Sequence, residues 1–199
     1  LSGSCQTAMM LADEYDGRVQ VVNNQRISVT QRQSALDARD LAAKGYRAGE
    51  IKNILEETKV NRMSYMKVDT LKYLRKGGRI TPAAAALGTL LKIKPVLTIE
   101  GEKLDAFSKA RTMKQARTTM LTALAHDLEE RLGDKNAFHT YLQIAHTCNE
   151  EAAEELKETV RELYPSAPVF VAPLSLSIGC HIGPGALAVA CTGMLKELD

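Results

Sequence analysis

The chain has 199 residues, 45% hydrophobic and 25% charged, an ordinary balance for a globular fold of one large or two small domains. A formal net charge of only +2 argues against a dedicated nucleic-acid binder, which carries a basic stripe or a strongly basic domain. No apolar run approaches the ~20 residues of a membrane-spanning helix, and the four cysteines form no CxxC or zinc spacing, so they read as buried free thiols in a reducing compartment.

A polar turn, Leu1-Ser2-Gly3-Ser4, leads into a helical pattern that runs to Tyr15, with Ser2 or Ser4 placed to cap it. Residues 19–22 form a β-branched run and read as a short strand. Helical spacing returns over 29–44, closed by Gly45, and again over 48–61; residues 63–68 then read as a strand. Asp69 and Thr70 cap a short helix to Lys76, Gly77 and Gly78 break it, and Pro82 opens another helix to about Leu91. Two β runs, 93–99 and 103–109, flank Gly101 and predict a hairpin. A long amphipathic helix over 112–132 follows. Then come a strand over 138–146, a helix over 150–164 and a strand over 169–172. The end, 177–192, is Gly-rich and then apolar, which predicts a loop and a last strand. The pattern changes near residues 68–80, so a division is expected there, into a first α/β unit over 1–70 and a second over 71–199. With no long linker between them, the cleft between the two is the default ligand site.

Three stretches carry chemistry. Small hydroxyl residues at a helix start, Ser2 and Ser4, leave backbone N–H groups free for an anion, although helix capping is the plainer reading. In Lys76-Gly77-Gly78-Arg79-Ile80 two glycines permit a sharp turn and Arg79 follows with a planar fork suited to a carboxylate. In His181-Ile182-Gly183-Pro184-Gly185 a lone histidine sits in a rigid loop of the kind that holds polar groups at pocket mouths. His126, His139 and His146 read as structural, and no Ser-His-Asp or Cys-His arrangement can be assembled. There is no GxxxxGK[ST] loop and no GxGxxG, which disfavours a nucleotide-using enzyme.

Taken in order, the segments LSGSCQTA, VDTLKYLRKGGRIT, LLKIKPVLTIEGEKL, KARTMKQA and SIGCHIGPGALAVA resemble the DegV family over nearly the whole chain. The resemblance implies a two-domain α/β fold: a parallel α/β/α first domain and a second two-layer α/β domain with a mixed sheet. It implies a non-enzymatic cytoplasmic carrier in a bacterium. Such a carrier holds one long-chain fatty acid in a buried apolar tunnel and needs no cofactor and no metal. It presents the carboxylate to a separate fatty-acid kinase, whose acyl phosphate feeds phospholipid synthesis. By the same resemblance Ser2, Arg79 and His181 would bind the carboxylate and Arg111 would suit kinase docking. Ser4 stands where the family usually has threonine, and Cys5 where tyrosine is common. Family members carry roughly 80 residues before this turn, including the first strands of the first domain. Two other readings stay open: a small-molecule enzyme using His181 and Arg79 on the same scaffold, and an interaction module with an empty cleft.

Overall fold

Three strands at the centre of the molecule alternate two kinds of side chain. In β1 (Arg62–Lys67), β4 (Thr140–His146) and β6 (Leu187–Gly193), one set is large and apolar: Met63, Tyr65, Leu142, Ile144, Leu187 and Val189 enter one core cluster. The intervening set is small or polar and faces the other way: Ser64, Gln143, Ala145, Ala188 and Ala190, with Met66. This computed structural model describes residues 2–87, 93–100 and 103–198. With β2 (Lys94–Glu100), β3 (Lys103–Ala110) and β5 (Val169–Pro173) the strands form a six-stranded sheet in the order β3-β2-β1-β6-β4-β5. Every pairing is antiparallel except β4 with β5, whose crossover carries the helix α7 (Glu150–Leu163), as a parallel pair requires.

Helices cover both faces. On the first, α6 (Met113–Glu130) is capped by Thr112, whose hydroxyl accepts from the Gln115 N–H at 3.1 Å. With α7 it buries Met120, Leu124, Leu128, Leu156 and Val160 completely against the sheet, each worth roughly 1.5–3 kcal/mol of transfer from water. On the second face α4 (Lys72–Gly77), α5 (Pro82–Leu87) and α8 (Leu176–Ile182) bury Leu74, Leu87 and Ile182 with Met66, Leu97 and Leu104. The start of α2 (Ser28–Ala43) also lies on this face, where the Val29 carbonyl accepts from Gln143 Nε2 at 3.2 Å. α2 and α3 (Ala48–Glu57) share a third, small cluster around Leu41, Leu55 and Leu195. The helix α1 (Ser4–Ala12) buries no residue.

The structure departs from the sequence expectations in several places. Residues 19–22 lie in no strand, because no described strand runs beside them; among the described residues none before Arg62 is in a strand. Residues 62–67, expected within the first unit (1–70), form a central strand of the sheet that is otherwise built from 94–193. The segment expected as a loop from 177 is helical as far as Ile182, stabilised by burial of Ile182 against Leu74 and Met66 rather than by its own propensity, since Gly179 interrupts it. Cys191 is buried, whereas Cys148 and Cys180 are exposed, so the expectation of buried thiols fails for these two. The continuation of the Pro82 helix to residue 91 and the connection at Gly101 lie outside the described residues.

Candidate functional site

The small side chains on the second face leave a space. Two cross-strand rows floor it: Ser64, Ala190 and Gln143 in register, and Met66, Ala188 and Ala145 one pleat along. Alanine at 145, 188 and 190 keeps the sheet surface low, and α2, α4 and α8 roof it with Val29, Leu74, Ile178 and Ile182. The result is a cavity of about 330 Å³ with a mostly apolar wall, within the size range of small-molecule sites. A second, more polar groove of about 750 Å³ adjoins it and shares Ser2, Ile27 and Arg79, while adding Ser4 and Lys103. The space therefore runs from an apolar interior to a polar mouth.

Ser2, Arg79 and His181 all line the cavity. Ser2 lies just before α1, whose N-cap is Gly3 with no side-chain capping bond. The Ser2 Oγ accepts from the Ser4 N–H at 3.2 Å and lies 2.8 Å from the Ser4 hydroxyl. Arg79 follows the αL residue Gly78, which ends α4, and its Nη1 donates to the Gly77 carbonyl. His181 sits in the last turn of α8, and its Nδ1 stands 2.9 Å from where a Cβ on Gly77 would be. The same point is 3.6 Å from Arg79 Cδ. Only a residue without a side chain at 77 lets the imidazole and the Arg79 stem lie on either side of it. The two Gly-rich stretches interlock a second time at Gly183, which has φ +82° and would place a Cβ 2.6 Å from the Tyr73 ring.

Behind α8 runs a polar seam. Lys67 is buried, and its Nζ donates to Asp69 Oδ1 at 2.6 Å and to the Gly185 carbonyl at 2.8 Å. Burial alone would raise the Asp69 pKa, but the Lys67 hydrogen bond and the charges of Lys67 and Lys94 outweigh it and hold the carboxyl below the usual range. Thr147 bonds the same loop through its hydroxyl and its backbone. Arg111 is elsewhere: it lies exposed in the turn between β3 and α6, its N–H donating to Gln115 Oε1 at 2.8 Å, and does not line the cavity. On the opposite face of the sheet Tyr65 donates to Asp127 Oδ2 at 2.5 Å. Burial, then the neighbouring Asp127, pushes the Cys191 thiol up to about 12, so this thiol is an inert core group.

Sequence reasoning does not single out Gln143, Ser64, Lys67 or Thr147. One signal is present: in Ala186-Leu187-Ala188-Val189-Ala190-Cys191 every second residue is alanine, which marks a strand face that leaves room. Lys67 and Thr147 give no such local sign, since their partners lie far along the chain.

Residues 1–193 match the family model described as uncharacterised protein, DegV family. A DegV domain-containing protein of Clostridium perfringens is 33% identical over 203 residues, covering 99% of this chain and 68% of that protein. Among solved structures, a DegV family protein from Thermus thermophilus, described as fatty acid binding, superposes with a TM-score of 0.86 at 31% identity over 97% of this chain and 67% of its own. One from Ruminococcus gnavus, described with vaccenic acid, gives a TM-score of 0.81 at 28% identity over 96% of this chain and 68% of its own. The chain thus spans about two thirds of the length of these relatives. From the family match, the ordered Gly-rich motifs and the shared fold together, the chain belongs to the DegV family.

Proposed function

We propose that this chain binds one long-chain fatty acid, its tail in the apolar cavity and its carboxylate at the polar mouth. The observation that carries the reading is that Ser2, Arg79 and His181, from three distant parts of the sequence, line one mostly apolar cavity. Solved relatives described as fatty acid binding, or with a bound fatty acid, share this fold. Burying about fourteen methylenes contributes on the order of 11 kcal/mol at ~0.8 kcal/mol each. The tail then supplies most of the affinity, and the head needs only satisfied hydrogen bonds: hydroxyl, imidazole and guanidinium donors suffice. A carboxylate held this way stays at the surface end, where a second protein can reach it.

In this reading the protein is a carrier in the bacterial cytoplasm rather than an enzyme. A separate kinase transfers the γ-phosphoryl group of ATP to a carboxylate oxygen, leaving ADP and an acyl phosphate for phospholipid synthesis. Exposed Arg111 would dock that kinase. Among the described residues no helix is long and apolar enough to cross a membrane. Solvent extraction of the purified protein with mass spectrometry tests the binding reading. A fatty acid recovered in near-equal amount to protein is the expected result; none recovered, with no uptake of labelled palmitate, would contradict it. With a cognate kinase, Arg111→Ala should keep lipid binding and slow turnover, and loss of lipid binding instead would remove the docking role.

A further inference from the structure

We infer that Thr147 is a positioning residue for the site: it fixes the angle of α8 and thereby the place of His181 beside Gly77 and Arg79. The inference rests on the cavity being the fatty-acid site. Thr147 directly follows β4 and is buried. Its hydroxyl donates to the Gly183 carbonyl at 2.6 Å and accepts from the Ala186 N–H at 3.0 Å. Its own N–H donates to the Ala186 carbonyl at 3.2 Å, and its carbonyl accepts from the Gly185 N–H at 2.7 Å. Four hydrogen bonds from one residue thus bind the 183–186 loop that joins α8 to β6. Asn149 Nδ2, at 3.2 Å, and Lys67 Nζ, at 2.8 Å, both donate to the Gly185 carbonyl and hold the same loop from the side.

A helix of seven residues cannot set its own direction, because so short a segment is marginal without tertiary support. Its C-terminal anchor sets it, and that anchor is Thr147. The other side of α8 is close to α4: the His181 ring takes up the space that a side chain on Gly77 would need. A tilt of α8 therefore moves the imidazole relative to Gly77 and Arg79 and changes the cavity wall that it forms. Threonine suits the position because one hydroxyl both donates to Gly183 and accepts from Ala186. Valine would keep the shape and leave a buried carbonyl and a buried N–H without partners. Serine would keep both bonds.

The test compares Thr147→Val, Thr147→Ser and wild type in the full chain. It uses palmitate binding by calorimetry and the ring ¹H–¹⁵N signals of His181, assigned by their loss in His181→Ala. Thr147→Val, which removes both hydroxyl bonds, should weaken palmitate binding by about tenfold and move the His181 ring signals in the ligand-free protein. Thr147→Ser should restore both. Asn149→Ala, a milder change that removes one donor to the loop, should move the same signals in the same direction by less, and serves if Thr147→Val does not fold. His181 signals unchanged in Thr147→Val, or unchanged in Asn149→Ala where that variant has to stand in, would overturn the inference; so would a Thr147→Ser variant as impaired as Thr147→Val. If wild type takes up no palmitate, the fatty-acid reading fails, and the ligand-free His181 signals still decide the positioning role.

Discussion

Residues 62–198 and residues 2–60 are held together in different ways. The first group closes a six-stranded sheet between two apolar clusters, with Leu124, Leu142, Ile144 and Leu187 fully buried. The second has one small cluster around Leu41 and Leu55, a helix α1 with no buried residue, and a stretch at 20–27 that lies in no helix or strand. It also buries charge at poor geometry: Arg26 Nη1 and Asp37 Oδ2 are 3.8 Å apart, and both atoms lack a hydrogen-bond partner among the described residues. Burial lowers the Arg26 pKa and raises that of Asp37, the signature of ions that are incompletely repaid for lost water. The difference teaches where the site's precision comes from. Its floor and two of the three proposed head-group contacts, Arg79 and His181, belong to the well-packed group, and Ser2 and the start of α2 are supplied by the weakly packed one.

The largest effect should follow from emptying the sheet core. Leu124→Ala or Leu142→Ala should cost about 3 kcal/mol, since each side chain is fully buried; urea midpoints at an unchanged slope would measure it. Next comes acid. Asp134 accepts from Thr140 Oγ1 and from the N–H groups of His139 and Phe138 at 2.7–2.9 Å. Burial acts to raise its pKa, but these bonds outweigh it and lower the value. A depressed folded value gives stability that is present above the unfolded pKa near 3.8 and lost as pH falls through the folded value. Asp134→Ala should therefore cost about 2 kcal/mol at neutral pH and flatten the acid limb of a stability profile. Asp37 carries the opposite sign: raised by burial, it contributes a loss of stability as pH rises from 3.8 through its folded value. Asp37→Asn should remove that slope, and a profile unchanged by either variant would break the contrast between the two groups. Gly77→Ala should weaken fatty-acid binding by several-fold with little change in melting temperature, because the His181 ring is what must yield. The smallest effect belongs to α1: Met10, 72% exposed, should change stability by less than about 0.5 kcal/mol as alanine. A cost for Met10→Ala like that for Leu124→Ala would mean that α1 is buried in solution.

Much of this fold is legible in the sequence, and the failures have physical causes. The helices α2, α6 and α7 announce themselves by apolar spacing and by ends such as Thr112 and Gly45. The run at 19–22 looks like a strand because β-branched content is local, yet a strand exists only with a partner, and none is described there. The α8 segment hides because Gly179 weakens its helical signal, while the bonds that hold it come from Thr147, 36 positions before Gly183. Ser2, Arg79 and His181 line the cavity, and no local pattern groups them; only the family resemblance does, and their role toward a carboxylate is part of the proposal. The alanine rows that make room for that cavity, and the Lys67–Asp69 pair behind it, depend on register between strands that no local window contains.

In the proposed function the acyl tail lies in the space over Ala188 and Ala190. Native mass spectrometry of the protein with palmitate, beside an Ala188→Phe variant that fills the space, tests it most directly. One palmitate per wild-type chain and none on the folded variant is the expected result. A palmitate adduct undiminished in Ala188→Phe, or absent from wild type at saturating ligand, would contradict it.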